Sequence, residues 1–106
     1  MPFATLASSP AKNLFPGVAG HYAHTDRLTI GEVDLAAGSL VPIHQHPHDQ
    51  LSYVLSGRAE FTVGAETRVM ETGTCAVISG GTPHGCRALS ACRVLDVFTP
   101  ARDEYR

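Results

Sequence analysis

The sequence predicts an all-β domain of the sandwich or barrel type, on three observations. From Val18 onward, short apolar runs are broken by Gly, Pro or Asp. Nothing sustains a helical period over three turns. Turn signals recur at short, even spacing, as they do between the strands of small sandwiches and barrels. Residues 1–17 are rich in Pro, Ala and Ser and read as an N-terminal arm with a short strand, leaving 18–106 as a single small domain. Nine further strands are expected, at 19–24, 28–36, 40–46, 50–55, 58–63, 66–71, 75–78, 84–89 and 92–98. In the second of these, Leu28 and Ile30 share one parity while Val33 and Leu35 share the other. The slip falls at Gly31, where it predicts a bulge. Ser56-Gly57 and Gly64-Ala65 read as hairpin turns.

Composition narrows the function classes. A chain of 106 residues suits one domain, and 43% hydrophobic with 17% charged residues suits a folded core. The net charge is −2 and no basic run occurs, so nucleic acid is not an expected partner. No apolar stretch reaches the roughly 20 residues of a membrane span, and the N-terminus lacks signal-peptide character. Cys75, Cys86 and Cys92 are odd in number and lack Cys-x-x-Cys spacing, which fits a reduced cytoplasmic protein with buried, inert thiols.

The chemistry concentrates in histidines. His44 and His46 sit two apart on an expected strand, so both point to one face, about 6.5 Å apart. Gln50 and His84 lie on neighbouring strands and can close the ring. Three imidazoles and an amide oxygen make a plausible site for one divalent transition metal, with Zn, Ni, Mn and Fe all compatible. Four neutral ligands leave the ion its full charge, which favours an anionic substrate oxygen and is less suited to oxidised iron. His48 follows Pro47 and reads as a solvent-side residue or one behind the ligands, not as a ligand. His21 and His24 read as surface or cavity residues. On the last strand Asp96 and Phe98 share a face, so an acid beside an aromatic faces the cavity if that face is inward.

Two motifs carry a resemblance. Gly38, His44, His46, Gln50 and Gly57 match the first motif of the cupin family in spacing, with Gln50 where a Glu is usual. Gly73, Gly81 and His84 match the second, with Ser79 and Ala88 replacing its Pro and Asn. The chain thus resembles cupins from about Gly31 to Phe98. The implied fold is a double-stranded β-helix, or jelly-roll, and the implied assembly a homodimer covering sheet edges. Residues 46–58, Pro83-His84-Gly85-Cys86 and the ending Leu95-Asp96-Val97-Phe98-Thr99-Pro100-Ala101-Arg102-Asp103-Glu104-Tyr105 are similar to one subgroup. Its members are small metal-dependent cupins of pectin and alginate breakdown that convert 4,5-unsaturated monouronates to linear keto forms. That resemblance implies His44, His46, Gln50 and His84 as metal ligands. It places Asp96, Phe98 and Arg102 around a small anionic sugar. Asp96 would be the general acid/base, Arg102 the carboxylate clamp and Phe98 the ring-packing wall. An iron-dependent dioxygenase and a non-catalytic sugar-binding cupin are the alternatives on the same scaffold.

Overall fold

The computed structural model describes residues 2–106. Ten strands run in chain order: β1 (Lys12–Phe15), β2 (Val18–His24), β3 (Thr29–Leu35), β4 (Leu40–His44), β5 (Asp49–Ser56), β6 (Ala59–Val63), β7 (Glu66–Met70), β8 (Cys75–Ile78), β9 (His84–Ala88) and β10 (Cys92–Thr99). They form two antiparallel sheets, a six-stranded one ordered β1-β2-β3-β10-β5-β8 and a four-stranded one ordered β4-β9-β6-β7. The sheets face each other as a jelly-roll. The short strand expected in the arm is β1, which pairs with β2. Single 3₁₀ turns occupy Leu6–Ser8 and Asp103–Tyr105. Among the described residues, no helix is long and apolar enough to cross a membrane.

Cross-strand register sorts the inner face of the large sheet into rows. Val33, Val94 and Val54 lie opposite one another and belong to the apolar core with Val18, Leu35, Phe61, Met70 and Ile78. The next row runs Tyr22, Gly31, Asp96, Ser52, Ala76. The row beyond runs His24, Thr29, Phe98, Gln50, Ile78. Because side chains alternate along a strand, one inner face passes from apolar to polar every two residues. Hydrophobic burial therefore anchors one end of the barrel and leaves the other end free to be polar.

Three expectations need correction. No bulge occurs at Gly31: β3 keeps unbroken register with both neighbours, and Thr29, Gly31, Val33 and Leu35 all face inward. Leu28 and Ile30 are exposed. The parity misleads because the inward position at Gly31 is filled by a neighbour's ring. A methyl at Gly31 or Gly20 would overlap the Tyr22 side chain, which lies across both. Secondly, Ser56-Gly57 does not close a hairpin. It carries the chain from β5 in one sheet to β6 in the other, whereas Gly64-Ala65 does join paired strands, β6 and β7. Thirdly, Cys75 is exposed, since β8 turns Ala76 and Ile78 inward and Cys75 and Val77 outward. All three cysteines are free.

Candidate metal centre and cavity

The three histidines converge at the polar end. His44 closes β4, His46 follows in the loop before β5, and His84 opens β9 directly opposite His44. An irregularity between Val41 and His44 gives β4 one more residue than β9 across this stretch. Pro42 lies within it, where a missing N–H is tolerated. Gly85 makes room for it, since a Cβ there would lie 2.6 Å from the Val41 carbonyl oxygen. The bulge re-aims His44 toward His84, and the ring centroids lie 4.4 Å apart. His46 is 4.8 Å from His84 and 5.7 Å from His44 by the same measure. Their ligating nitrogens all fall within 4.8 Å of one another.

Backbone carbonyls set the tautomers. His44 Nδ1–H donates to Pro42 O at 2.8 Å, His84 Nδ1–H to Thr82 O at 2.8 Å and His46 Nδ1–H to His48 O at 3.1 Å. Each ring then presents an Nε2 lone pair to the centre, the form in which imidazole ligates. Burial holds His46 and His84 below the usual histidine range, with Arg102 and neighbouring histidines adding to it, so both stay neutral.

Two observations test whether these residues suit a metal. His84 Nε2 is buried with no hydrogen-bond partner, and an orphaned buried acceptor calls for one. His46 Nε2 and Gln50 Oε1 lie 3.0 Å apart, and with the His46 proton on Nδ1 neither has a hydrogen to share. Two lone pairs at that distance suit a shared cation, since ligands about 2.1 Å from one ion at right angles are about 3.0 Å apart. The set fits a divalent transition ion.

Behind Gln50 runs a hydrogen-bond chain. Gln50 Nε2–H donates to Ser52 Oγ at 2.9 Å, and Ser52 Oγ–H donates to Asp96 Oδ1 at 2.6 Å. Asp96 is enclosed by protein but keeps a face on the cavity, and burial pushes its carboxyl up to about 6. Hydrogen bonds from Ser52 and Gln50 and the Arg102 charge oppose that rise without cancelling it.

Arg102 arrives from the C-terminal segment, which folds back over the mouth. Its backbone N–H donates to Thr29 Oγ1 at 2.8 Å. Thr29 Oγ1 in turn lies 2.7 Å from His24 Nδ1, and His24 Nε2 lies 3.2 Å from Tyr105 O. The Arg102 guanidinium sits 4.8 Å over the Phe98 ring and 4.4 Å over the Tyr105 ring. Its Nε pairs with Glu104, and its Nη2 donates to the Tyr105 hydroxyl at 3.1 Å. Phe98 is buried with its ring 6.0 Å from that of His46.

The structure thus brings His44, His46, Gln50, His84, Asp96, Phe98 and Arg102 to one polar end. His44, Gln50, His84, Asp96, Phe98 and Arg102 line one cavity, and His46 borders it. His48 stands behind His46 with its Nδ1 buried and unpartnered. His21 bonds Ser9 O at 2.9 Å, away from the cavity, and His24 clasps the C-terminal segment. Cys86 lines the cavity with its thiol pushed up to about 12 by burial, Asp96 adding to it. Sequence reasoning assigned no role to Ser52, Tyr22, Thr29 or Tyr105. The parity of Ser52 with Gln50 was a readable signal, whereas the Thr29 and Tyr105 contacts join segments remote in sequence.

Fold and site define a small jelly-roll barrel with a polar, histidine-bearing ligand cavity. Residues 31–98 match the Cupin domain family, and the chain belongs to the cupins. The solved structure of KdgF from Halomonas sp. superposes with a TM-score of 0.92 at 31% identity, covering 100% of this chain and 99% of that one. An uncharacterized protein from Streptomyces coelicolor, SCO3923, is 35% identical over 69% of this chain and 70% of its own length. The dimethylsulfoniopropionate lyase DddQ from Ruegeria pomeroyi is 35% identical over 67% of this chain, which spans only 35% of that protein.

Proposed function

We propose that this cupin is an enzyme that opens 4,5-unsaturated monouronates, as released in pectin or alginate breakdown, to their linear keto forms. The observation that carries the reading is the placement of Asp96 and Arg102 in the cavity that also holds the histidine centre. The whole-chain likeness to KdgF and the C-terminal motif support it.

His44, His46, Gln50 and His84 would hold one divalent ion. When bound, it would supply Lewis-acid polarisation of a substrate oxygen. The other roles belong to side chains. Arg102 holds the substrate carboxylate through its terminal nitrogens, because Glu104 already engages Nε. Phe98 forms an apolar wall against the sugar ring and excludes water. Asp96 delivers the proton that C4 gains as C5 becomes a ketone, and the proton that the anomeric hydroxyl loses as the C1–O5 ring bond breaks restores it. Its raised carboxyl keeps a protonated fraction near neutrality, as general acid catalysis requires.

Incubation with an unsaturated monouronate tests the reading. Ultraviolet absorbance of the conjugated ene should fall faster with protein than without it, equally under air and nitrogen. Arg102→Ala should raise KM more than it lowers kcat. No acceleration, or acceleration only with oxygen, would overturn the proposal.

A further inference from the structure

We propose that Ser52 is a positioning residue that decides which end of the Gln50 amide faces the histidine centre. A Gln side chain has two ends of nearly equal shape and opposite chemistry. Its oxygen can bind a cation, whereas its NH₂ group points protons at one. A Glu has no such choice, because its two oxygens are alike. A chain that uses Gln at this place therefore needs something to hold the amide one way round.

Ser52 is fully buried and lies between Gln50 and Asp96. The direction of the chain follows from its far end. The Ser52 hydroxyl has a single hydrogen, and it is donated to Asp96 Oδ1 at 2.6 Å. The Ser52 oxygen is left to accept, and the Gln50 end that can donate to it is Nε2. Oε1 is thereby turned to the centre, 3.0 Å from His46 Nε2. Register makes this possible, since Ser52 stands two residues from Gln50 on β5 and directly opposite Asp96 on β10. The inference rests on reading Gln50 as a ligand, and it does not depend on the substrate.

Cobalt(II) is the probe, titrated into metal-stripped full-length protein with affinity and visible absorption recorded together. Partners behind a ligand typically change metal affinity by about 10–100-fold, so Ser52→Ala should weaken cobalt by that order and alter its absorption band. Ser52→Thr retains the hydroxyl and should restore both. In a Gln50→Glu background most of the loss from Ser52→Ala should vanish, because either carboxylate oxygen serves. A Ser52→Ala variant that binds cobalt as wild type does would overturn the proposal. So would equal losses in the wild-type and Gln50→Glu backgrounds, which would mark Ser52 as a packing residue. If Ser52→Ala does not fold, Ser52→Thr and Ser52→Val give the same comparison at matched shape. Cobalt affinity unchanged in Gln50→Ala would take Gln50 off the metal and the proposal with it. Weak binding by Gln50→Ala beside unchanged Ser52→Ala would overturn the Ser52 role alone.

Discussion

Replacing Asp96 by Asn should make the protein more stable and less active, and the two effects have one cause. Burial raises the Asp96 carboxyl from 3.8 to about 6, so ionising it in the fold is harder than in the unfolded chain. At about 1.4 kcal/mol per pKa unit, roughly two units set a ceiling near 3 kcal/mol. Water reaching Asp96 from the cavity trims this, and we expect about 1–2 kcal/mol, or roughly 5–10 °C in Tm. The sign is fixed by linkage. An acid whose pKa is higher folded than unfolded binds more protons in the native state between those values. Stability from this group is full below about pH 4, falls as pH rises toward about 6, and is flat above. The advantage of Asp96→Asn should therefore be absent near pH 4 and complete by pH 8. Comparing variant with wild type cancels the contributions of groups common to both. Thermal melts followed by circular dichroism in chelator would measure it. The same variant should lose turnover by about 10²–10⁴-fold, because an amide cannot exchange the proton. Equal melting at pH 4 and pH 8 would show that the charge is not held at a cost. Wild-type turnover would show that the carboxylate is not the acid/base.

The remaining expectations can be checked together. Elemental analysis should find one divalent ion per chain, with His84→Ala losing it and Gln50→Glu retaining it while binding an anionic substrate more weakly, since a charge then faces the substrate. Brief alkylation should modify Cys75 alone by mass spectrometry, with Cys86 and Cys92 reacting only after unfolding; fast modification of Cys86 would contradict its enclosure. Ile30, Val97, Leu51 and Val77 align in one outward row across four strands, and Val77 is 71% exposed. A second copy packed on this self-complementary row, giving a two-fold dimer, is the expected cover. Light scattering should find a dimer that Val77→Asp splits, and a monodisperse wild-type monomer would refute it.

Legibility in the sequence followed the range of the physics involved. Strand positions were readable because alternation and turn residues are local. The ligand cluster was readable because its members fall at fixed motif spacings, although β4 ends at His44 and His46 lies in the loop that follows instead of on the same strand. Gly31 misled because its inward face is occupied by Tyr22 from the adjacent strand, so an apolar position carries no apolar residue of its own. Gly57 misled because a turn signal reports a reversal and not which sheet receives the next strand. Ser52 offers only its shared parity with Gln50 as a signal, because a small polar residue on a strand carries no apolar mark of burial. Its role appears only when β10 sets Asp96 across from it.

The rows of the large sheet explain how a small barrel tolerates so polar an end. Each strand that delivers a functional group also delivers an apolar one two or four residues away: Val54 below Ser52 and Gln50, Val94 below Asp96 and Phe98, Val33 below Gly31 and Thr29. The valines are buried at 4% exposure or less, so packing anchors all three strands beside the polar rows. The polar rows add hydrogen bonds to that frame. That division also fixes where substitutions act. A change in the valine row should loosen all three strands at once, whereas a change at Ser52 or Asp96 leaves the frame standing and alters only what the cavity can hold.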